Sequence, residues 1–242
     1  MPQIKPPATG TEGIFLIDKP TGISSHNAVN YIRNVTGIRK VGHSGTLDPL
    51  ASGLLIILVG RNYTKLQDVF LKKKKTYVCT AQLGIETDTY DSTGTIINKA
   101  DWEKLKNITS SIVELALKSY RGDFFQTVPA FSAIKMNGQK LYRKALKKTL
   151  DLDSLPQKKV TVESLILTKL QKDLKNKVIY ITIEATVGSG TYIRSLIHDL
   201  GKQLGVGAVI TELRRTKIAD FSVENAHKIT GVKTLSYARK IL

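Results

Sequence analysis

Between Val41 and Gly53 the chain reads Val-Gly-His-Ser-Gly-Thr-Leu-Asp-Pro-Leu-Ala-Ser-Gly, with a single carboxylate, Asp48, among small residues. Glycines at 42, 45 and 53 flank it, and glycine allows the backbone to come close to a ligand. Pro49 biases Asp48 towards an extended conformation, because the proline ring clashes with a helical residue before it. An ionised acid displayed on a stiff loop can act as a general base or as a nucleophile. The same pattern also suits a structural aspartate in a Gly/Pro turn, and residue types alone leave both roles open. His43, five residues earlier, could take a proton or fill space beside a ligand. His26, His198 and His227 are scattered without metal-ligand spacing and read as ordinary surface or helix residues. The one cysteine, Cys79, rules out an internal disulfide framework and a Cys-based zinc site. It lies in an alternating apolar run and reads as a small buried hydrophobe.

These residues need a scaffold. The apolar run Leu54 to Val59 reads as a buried strand that anchors the Asp48 loop. Ile14 to Ile17 reads as a strand running into the turn Asp18-Lys19-Pro20-Thr21-Gly22, and Ser24 and Ser25 precede a helix over His26 to Asn34. Thr76 to Leu83 alternates as a strand, Thr87 to Gly94 is turn-like, and Trp102 to Tyr120 has helical spacing. Gln126 to Pro129 reads as a loop and Leu141 to Leu150 as a basic helix. Val160 to Leu170 and Val178 to Val187 read as strands, the second with Ile179, Ile181, Ile183, Ala185 and Val187 on one face. After the break at Gly188-Ser189-Gly190, Leu196, Ile197, Leu200 and Leu204 form the stripe of a helix ending at Gly205. Ile218 to Val223 reads as a last strand and Ile229 to Leu242 as room for one helix. Strands adjacent in sequence predict an α+β fold with a mixed, mostly antiparallel sheet flanked by helices. No internal repeat or linker divides the 242 residues, which predicts a single domain over 1–242.

Lys plus Arg is 37 against 20 Asp plus Glu, a net charge of +17. Such a surplus attracts polyanions: nucleic acid, a membrane surface or an acidic protein. The membrane reading is weak, because no apolar run approaches the roughly 20 residues that a spanning helix needs. The N-terminus carries no apolar signal core, so a cytoplasmic protein is expected. Lys72 to Lys75 form a run of four lysines, and Lys135, Lys140, Arg143, Lys144, Lys147 and Lys148 form a second basic cluster.

The run Gly42 to Gly53 closely resembles the motif II signature of TruB-type pseudouridine synthases. Phe15 to Gly22, with Lys19-Pro20, resembles their motif I. Lys75-Thr76-Tyr77, Gly190-Thr191-Tyr192-Ile193-Arg194 and Leu213-Arg214-Arg215 match three further elements, in the family's order from about residue 13 to about residue 225. A lone Asp in a Gly-rich loop would mean little; five ordered elements are specific. The resemblance implies a pseudouridine synthase fold and isomerisation of uridine 55 in the T-arm loop of tRNA. Asp48 would be the catalytic carboxylate, attacking ribose C1′ or taking a ribose proton. Arg194 would pair with Asp48 and keep it ionised. Tyr192 would point to the same side as Arg194 if the strand continues through both. Tyr77 would stack on the uracil, and His43 would fill the space left by a flipped nucleotide. Lys19 and Pro20 would support the loop, Leu213 would join the substrate-binding residues, and Asp91 would contact the flipped-base region. Residues 124–150 would form the insertion that clamps the tRNA, mobile until RNA binds. The reaction implies no metal and no organic cofactor, and the resemblance implies a monomer with no obligatory protein partner. Typical bacterial members continue into a PUA RNA-binding domain; this chain stops at Leu242, so the resemblance leaves two readings, a short form without that domain or a piece cut from a longer protein. Rival readings are a guide-RNA-dependent relative acting on ribosomal RNA, a catalytically silent tRNA-folding chaperone, and a hydrolytic N-glycosidase.

Overall fold

Leu54 to Val59 are all fully buried, so this run is covered on both faces, as a continuous apolar strand requires. It belongs to the strand Ser52–Val59 of a computed structural model that describes residues 11–229 other than 137, 148, 152 and 153. In chain order, β1 (Gly13–Lys19), α1 (Ser25–Thr36), β2 (Val41–His43) and β3 (Ser52–Val59) are followed by the short helices α2 (Arg61–Thr64) and α3 (Gln67–Leu71). Next come β4 (Lys75–Leu83), β5 (Ile85–Thr87), β6 (Ile96–Lys99), α4 (Trp102–Leu105), α5 (Ser110–Lys118) and β7 (Gly122–Thr127). A small hairpin, β8 (Lys135–Met136) and β9 (Gln139–Lys140), leads into α6 (Leu141–Leu146). The long strands β10 (Gln157–Asp173) and β11 (Val178–Val187) precede α7 (Ile193–Gln203), β12 (Ala208–Ile218), β13 (Phe221–Ser222) and β14 (His227–Lys228). Among the described residues no helix is long and apolar enough to cross a membrane.

The chain forms two compact units, one ending at Tyr77 and resuming at Leu213, the other Val78–Glu212. In the first, strand order is β14-β1-β3-β12. β1 and β2 run antiparallel to β3, with Lys19 opposite Gly53 and His43 opposite Ile57. β12 joins β3 in parallel, pairing Arg214 with Ser52 and Arg215 with Gly53. Helix α1 starts where Ser24 accepts a hydrogen bond from the Asn27 amide, and stops at Gly37, which takes the left-handed conformation. Its inner face is Ala28, Val29 and Ile32.

In the second unit the order is β12-β4-β11-β10-β7. β11 buries alternate residues from Ile179 to Val187, as its period of two predicts. The α+β class and the mixed, mostly antiparallel sheet are borne out. Several boundaries differ from expectation. The helical stretch Trp102 to Tyr120 is two helices: the first ends at Leu105, and Thr109 caps the second by accepting from the Ile112 amide. The expected loop at Gln126 is strand: Gln126 and Thr127 pair with Lys158 and Gln157 of β10. The basic helix is shorter, ending at Leu146. The last long strand begins at Ala208, ten residues before Ile218. Its four charged residues, Glu212, Arg214, Arg215 and Lys217, hide the strand from a reading based on apolar alternation. The helix expected over Ile229 to Leu242 lies, apart from Ile229, outside the described residues.

Candidate active site

In the first unit the Asp48 loop leaves β2 at His43 and enters β3 at Ser52, and it is fastened on both sides of the aspartate. Ser25, in the first turn of α1, accepts from the Leu47 amide at 2.8 Å and donates to the Leu47 carbonyl at 3.0 Å. Gly22 donates its amide to the Pro49 carbonyl at 2.8 Å. The Asp48 carbonyl accepts from the Ala51 amide at 3.0 Å, closing a turn. Asp48 therefore has both neighbours held by the chain just after β1, and its side chain is half-buried. The loop also packs inward on both sides of Asp48, through Leu47 and Ala51, which are buried.

Arg215 ties this loop to its surroundings. The side chain is 1% exposed. Its Nε donates to the Leu54 carbonyl at 2.7 Å and its Nη2 to the Gly45 carbonyl at 3.1 Å. Its guanidinium lies 6.0 Å from the centre of the Tyr77 ring, a separation at which a cation is attracted to an aromatic face. Arg214, the next residue on the opposite face of β12, makes a two-pronged contact with Asp18 at 3.0 and 2.7 Å. Leu213 is buried at the head of this segment.

Lys19 and Lys75 are also buried. Lys19 donates to the carbonyls of Pro20 and Ile23, both at 2.8 Å, so it braces the turn after β1. Burial lowers its pKa to about 8; the charge of Asp48 partly offsets this and that of Arg215 adds to it. Lys75 donates to the carbonyls of Leu71 and Lys73 at 2.8 and 2.6 Å. Burial, then Arg215, lowers its pKa to about 8. The expected run of four surface lysines is thus three, Lys72 to Lys74; Lys75 opens β4 on its inward phase. His43 accepts at Nδ1 from the Gly45 amide at 3.2 Å, which puts the proton of the neutral ring on Nε2. Burial, followed by the charges of Arg215 and His26, lowers its pKa and favours that neutral ring.

Tyr192 and Arg194 belong to the second unit. The strand does not continue through them. β11 ends at Val187, Tyr192 is the N-cap of α7, and Arg194 sits in its first turn. The condition set for Tyr192 and Arg194 to share a side, a strand running through both, is therefore not met. Arg194 is buried and donates from Nη1 to the Thr89 carbonyl at 2.8 Å and from Nη2 to the Phe131 carbonyl at 2.9 Å. Its Nε lies 3.9 Å from the Asp91 carboxylate. Asp91 is buried and accepts at Oδ1 from Thr89 and from both the amide and the hydroxyl of Thr93. His198 is a helix residue, in α7, and it is buried, with its ring stacked on that of Tyr90 at 3.8 Å.

The sequence of the TruB family pseudouridylate synthase N-terminal domain matches residues 33–193, and that of the tRNA pseudouridylate synthase B C-terminal domain matches residues 194–240. The chain belongs to the TruB family. It is 40% identical over 214 residues to tRNA pseudouridine synthase B of Chlamydia felis, covering 88% of this chain and 85% of the relative. To the Aquifex aeolicus protein of the same name it is 41% identical over 220 residues, covering 89% and 71%. Two solved structures share the fold at 24% identity. One is an H/ACA RNP bound to a substrate RNA containing 2′-deoxyuridine, with TM-score 0.64, covering 91% of this chain and 52% of that one. The other is a Cbf5-Nop10-Gar1 complex, with TM-score 0.68, covering 95% and 60%.

The structural roles of four residues escaped the sequence. Ser25 reads as a helix start, and only the fold shows it gripping Leu47. Arg214 and Arg215 look alike in sequence; strand phase turns one out and one in. Gln126 reads as a loop residue but is a buried amide in β7. A polar residue following two aromatics, Phe124 and Phe125, was the one available signal for a strand there.

Proposed function

We propose that this protein is a tRNA pseudouridine synthase that converts uridine 55 of the T-arm loop to pseudouridine, with Asp48 as its catalytic carboxylate. The observation that carries the proposal is an aspartate of the family's motif II whose flanking backbone is fastened at Leu47 and Pro49. Pre-organisation of this kind is what a carboxylate needs to meet one ribose carbon repeatedly in one geometry. The N1–C1′ bond breaks, the uracil turns, and C5 joins C1′; the C5 proton is lost to solvent and N1 gains one. Asp48 either attacks C1′ or removes a ribose proton. Arg194 pairs with Asp48 in this proposal and keeps it ionised. Tyr77 stacks on the uracil, Tyr192 and Leu213 line the nucleotide's place, and His43, as a neutral ring, fills the gap left by the flipped base. Lys19 holds the loop from behind. An isomerisation transfers no electrons and no group to a second molecule, so the proposal includes no metal or organic cofactor. It also takes the protein to be cytoplasmic, monomeric and active without a protein partner, with exposed cations at Lys72 to Lys74 and along 135–147 gripping phosphates.

The test uses tRNA transcript tritiated at uridine C5. The wild type should release tritium, and Asp48→Asn should lose at least about a thousandfold in rate while binding tRNA normally. Equal release by both proteins would remove Asp48 from the chemistry. No release from either would favour the chaperone reading, and free uracil in place of pseudouridine would favour the glycosidase.

A further inference from the structure

Gln126 is buried where its neighbour is not. In β7, Phe125 is 68% exposed and Gln126 is 2% exposed. Burying an amide while an aromatic ring faces water is costly unless every bond of the amide is made. Gln126 makes its bonds to a single residue. Nε2 donates to the Tyr192 carbonyl at 3.0 Å, and Oε1 accepts from the Tyr192 amide at 2.8 Å. The side chain reproduces, across 66 residues of sequence, the paired bonds a neighbouring strand would supply. One residue on, the Thr127 carbonyl accepts from the Ser195 hydroxyl at 3.0 Å.

Tyr192 needs such a partner. As N-cap of α7 it has extended backbone, φ −98° and ψ 110°, and no side-chain cap. Its carbonyl bonds the Leu196 amide at 3.1 Å inside the helix, but its own amide precedes the helical ladder and finds no acceptor there. Gln126 provides that acceptor and fixes the plane of the peptide group from which the Tyr192 ring departs.

We propose that Gln126 is a positioning residue for the reaction: its amide clamps the Tyr192 backbone and thereby aims the Tyr192 ring. The inference rests on the reading that Tyr192 serves the uridine site. Gln126 meets no substrate and exchanges no proton; it acts through Tyr192 alone.

The experiment is a double-mutant cycle in the tritium-release assay, with tRNA affinity measured alongside. Gln126→Met keeps the length of the side chain and loses both bonds. It should slow turnover at saturating tRNA about tenfold or more, with KM and tRNA Kd changed by less than about twofold. In a Tyr192→Ala background the same change should cost nothing further. Gln126→Glu supplies a second, independent readout. A protonated carboxyl matches the amide atom for atom, donating to the Tyr192 carbonyl and accepting from its amide. Burial beside a carbonyl raises the pKa of that carboxyl, so the Gln126→Glu rate, divided by that of the wild type, should climb as pH falls from about 8 to about 6. Should Gln126→Met fail to fold, this profile decides. A wild-type rate for Gln126→Met, a pH-independent Gln126→Glu ratio, or losses that multiply in the double variant would each overturn the inference and leave Tyr192 in its role. A wild-type rate for Tyr192→Ala would overturn both.

Discussion

At the scale of single residues, the buried cations and His198 carry the clearest consequences. Arg215 satisfies the carbonyls of Leu54 and Gly45 from inside the first unit. Arg215→Met should therefore destabilise the protein by about 2–4 kcal/mol, since it leaves two buried acceptors unpaired. Denaturant midpoints would measure this, and a loss under about 0.5 kcal/mol would show that water replaces the guanidinium at little cost. His198 is 4% exposed, and among the described residues its Nδ1 has no hydrogen-bond partner. Burial, then the nearby Lys202 charge, lowers its pKa from 6.5 to about 4. The unfolded chain takes up this proton near pH 6.5 and the folded protein only near pH 4. Stability from this group is thus complete above the unfolded pKa and is lost as pH falls through the window between them, by up to about 3 kcal/mol. Urea unfolding of wild type and His198→Gln over that window should show a shallower acid loss in the variant; parallel curves would refute the assignment.

At the scale of elements, the Asp48 loop depends on two neighbours that its own sequence does not name. Ser25 links the start of α1 to Leu47. Ser25→Ala should cost about 1–3 kcal/mol and lower the rate of pseudouridine formation more than tRNA affinity, which steady-state kinetics would separate. A matched fall in both would mean that the loop binds tRNA but is not aimed by Ser25. Gly53 has φ +101°, and a Cβ there would sit 2.3 Å from the Arg215 carbonyl oxygen where β3 pairs with β12. Gly53→Ala should lose several kcal/mol, seen as a large drop in melting temperature or in soluble yield. Apolar strands such as β3 and β11 were readable because burial on one or both faces leaves a periodic trace in sequence. β12 was not, because its charged side chains are accommodated individually, by Asp18 for Arg214 and by backbone carbonyls for Arg215.

At the scale of the whole molecule, a net charge of +17 should make tRNA binding strongly salt-dependent. A plot of log Kd against log salt should have a slope of magnitude about 3 or more, because each neutralised phosphate releases counterions. A slope near zero would remove the charge surplus from the binding argument. The proposed clamp is not uniform along its length. Gln126, Val128, Ala130 and Leu141 are buried, while Arg143, Leu146 and Lys147 are exposed. Hydrogen exchange should therefore show residues 124–130 protected with or without tRNA and residues 138–147 gaining protection on binding. Equal protection of both stretches in free protein would contradict a clamp that orders on RNA.

Residue types and their order were enough to indicate the family and the α+β class, and to single out Asp48 as the candidate carboxylate. Motifs of chemistry are contiguous, and contiguous patterns survive in one dimension. What the tertiary structure decided is which residues hold those motifs still. Ser25 grips Leu47 across 22 positions, Arg215 reaches Gly45 across 170, and Gln126 reaches Tyr192 across 66. Partners of a backbone carbonyl or amide need only a donor or acceptor at the right point in space, so no residue pattern announces them. The same reason left open whether the strand runs on to Tyr192 or gives way before it: Tyr192 is the cap of α7, and the partner its backbone finds lies elsewhere in the chain.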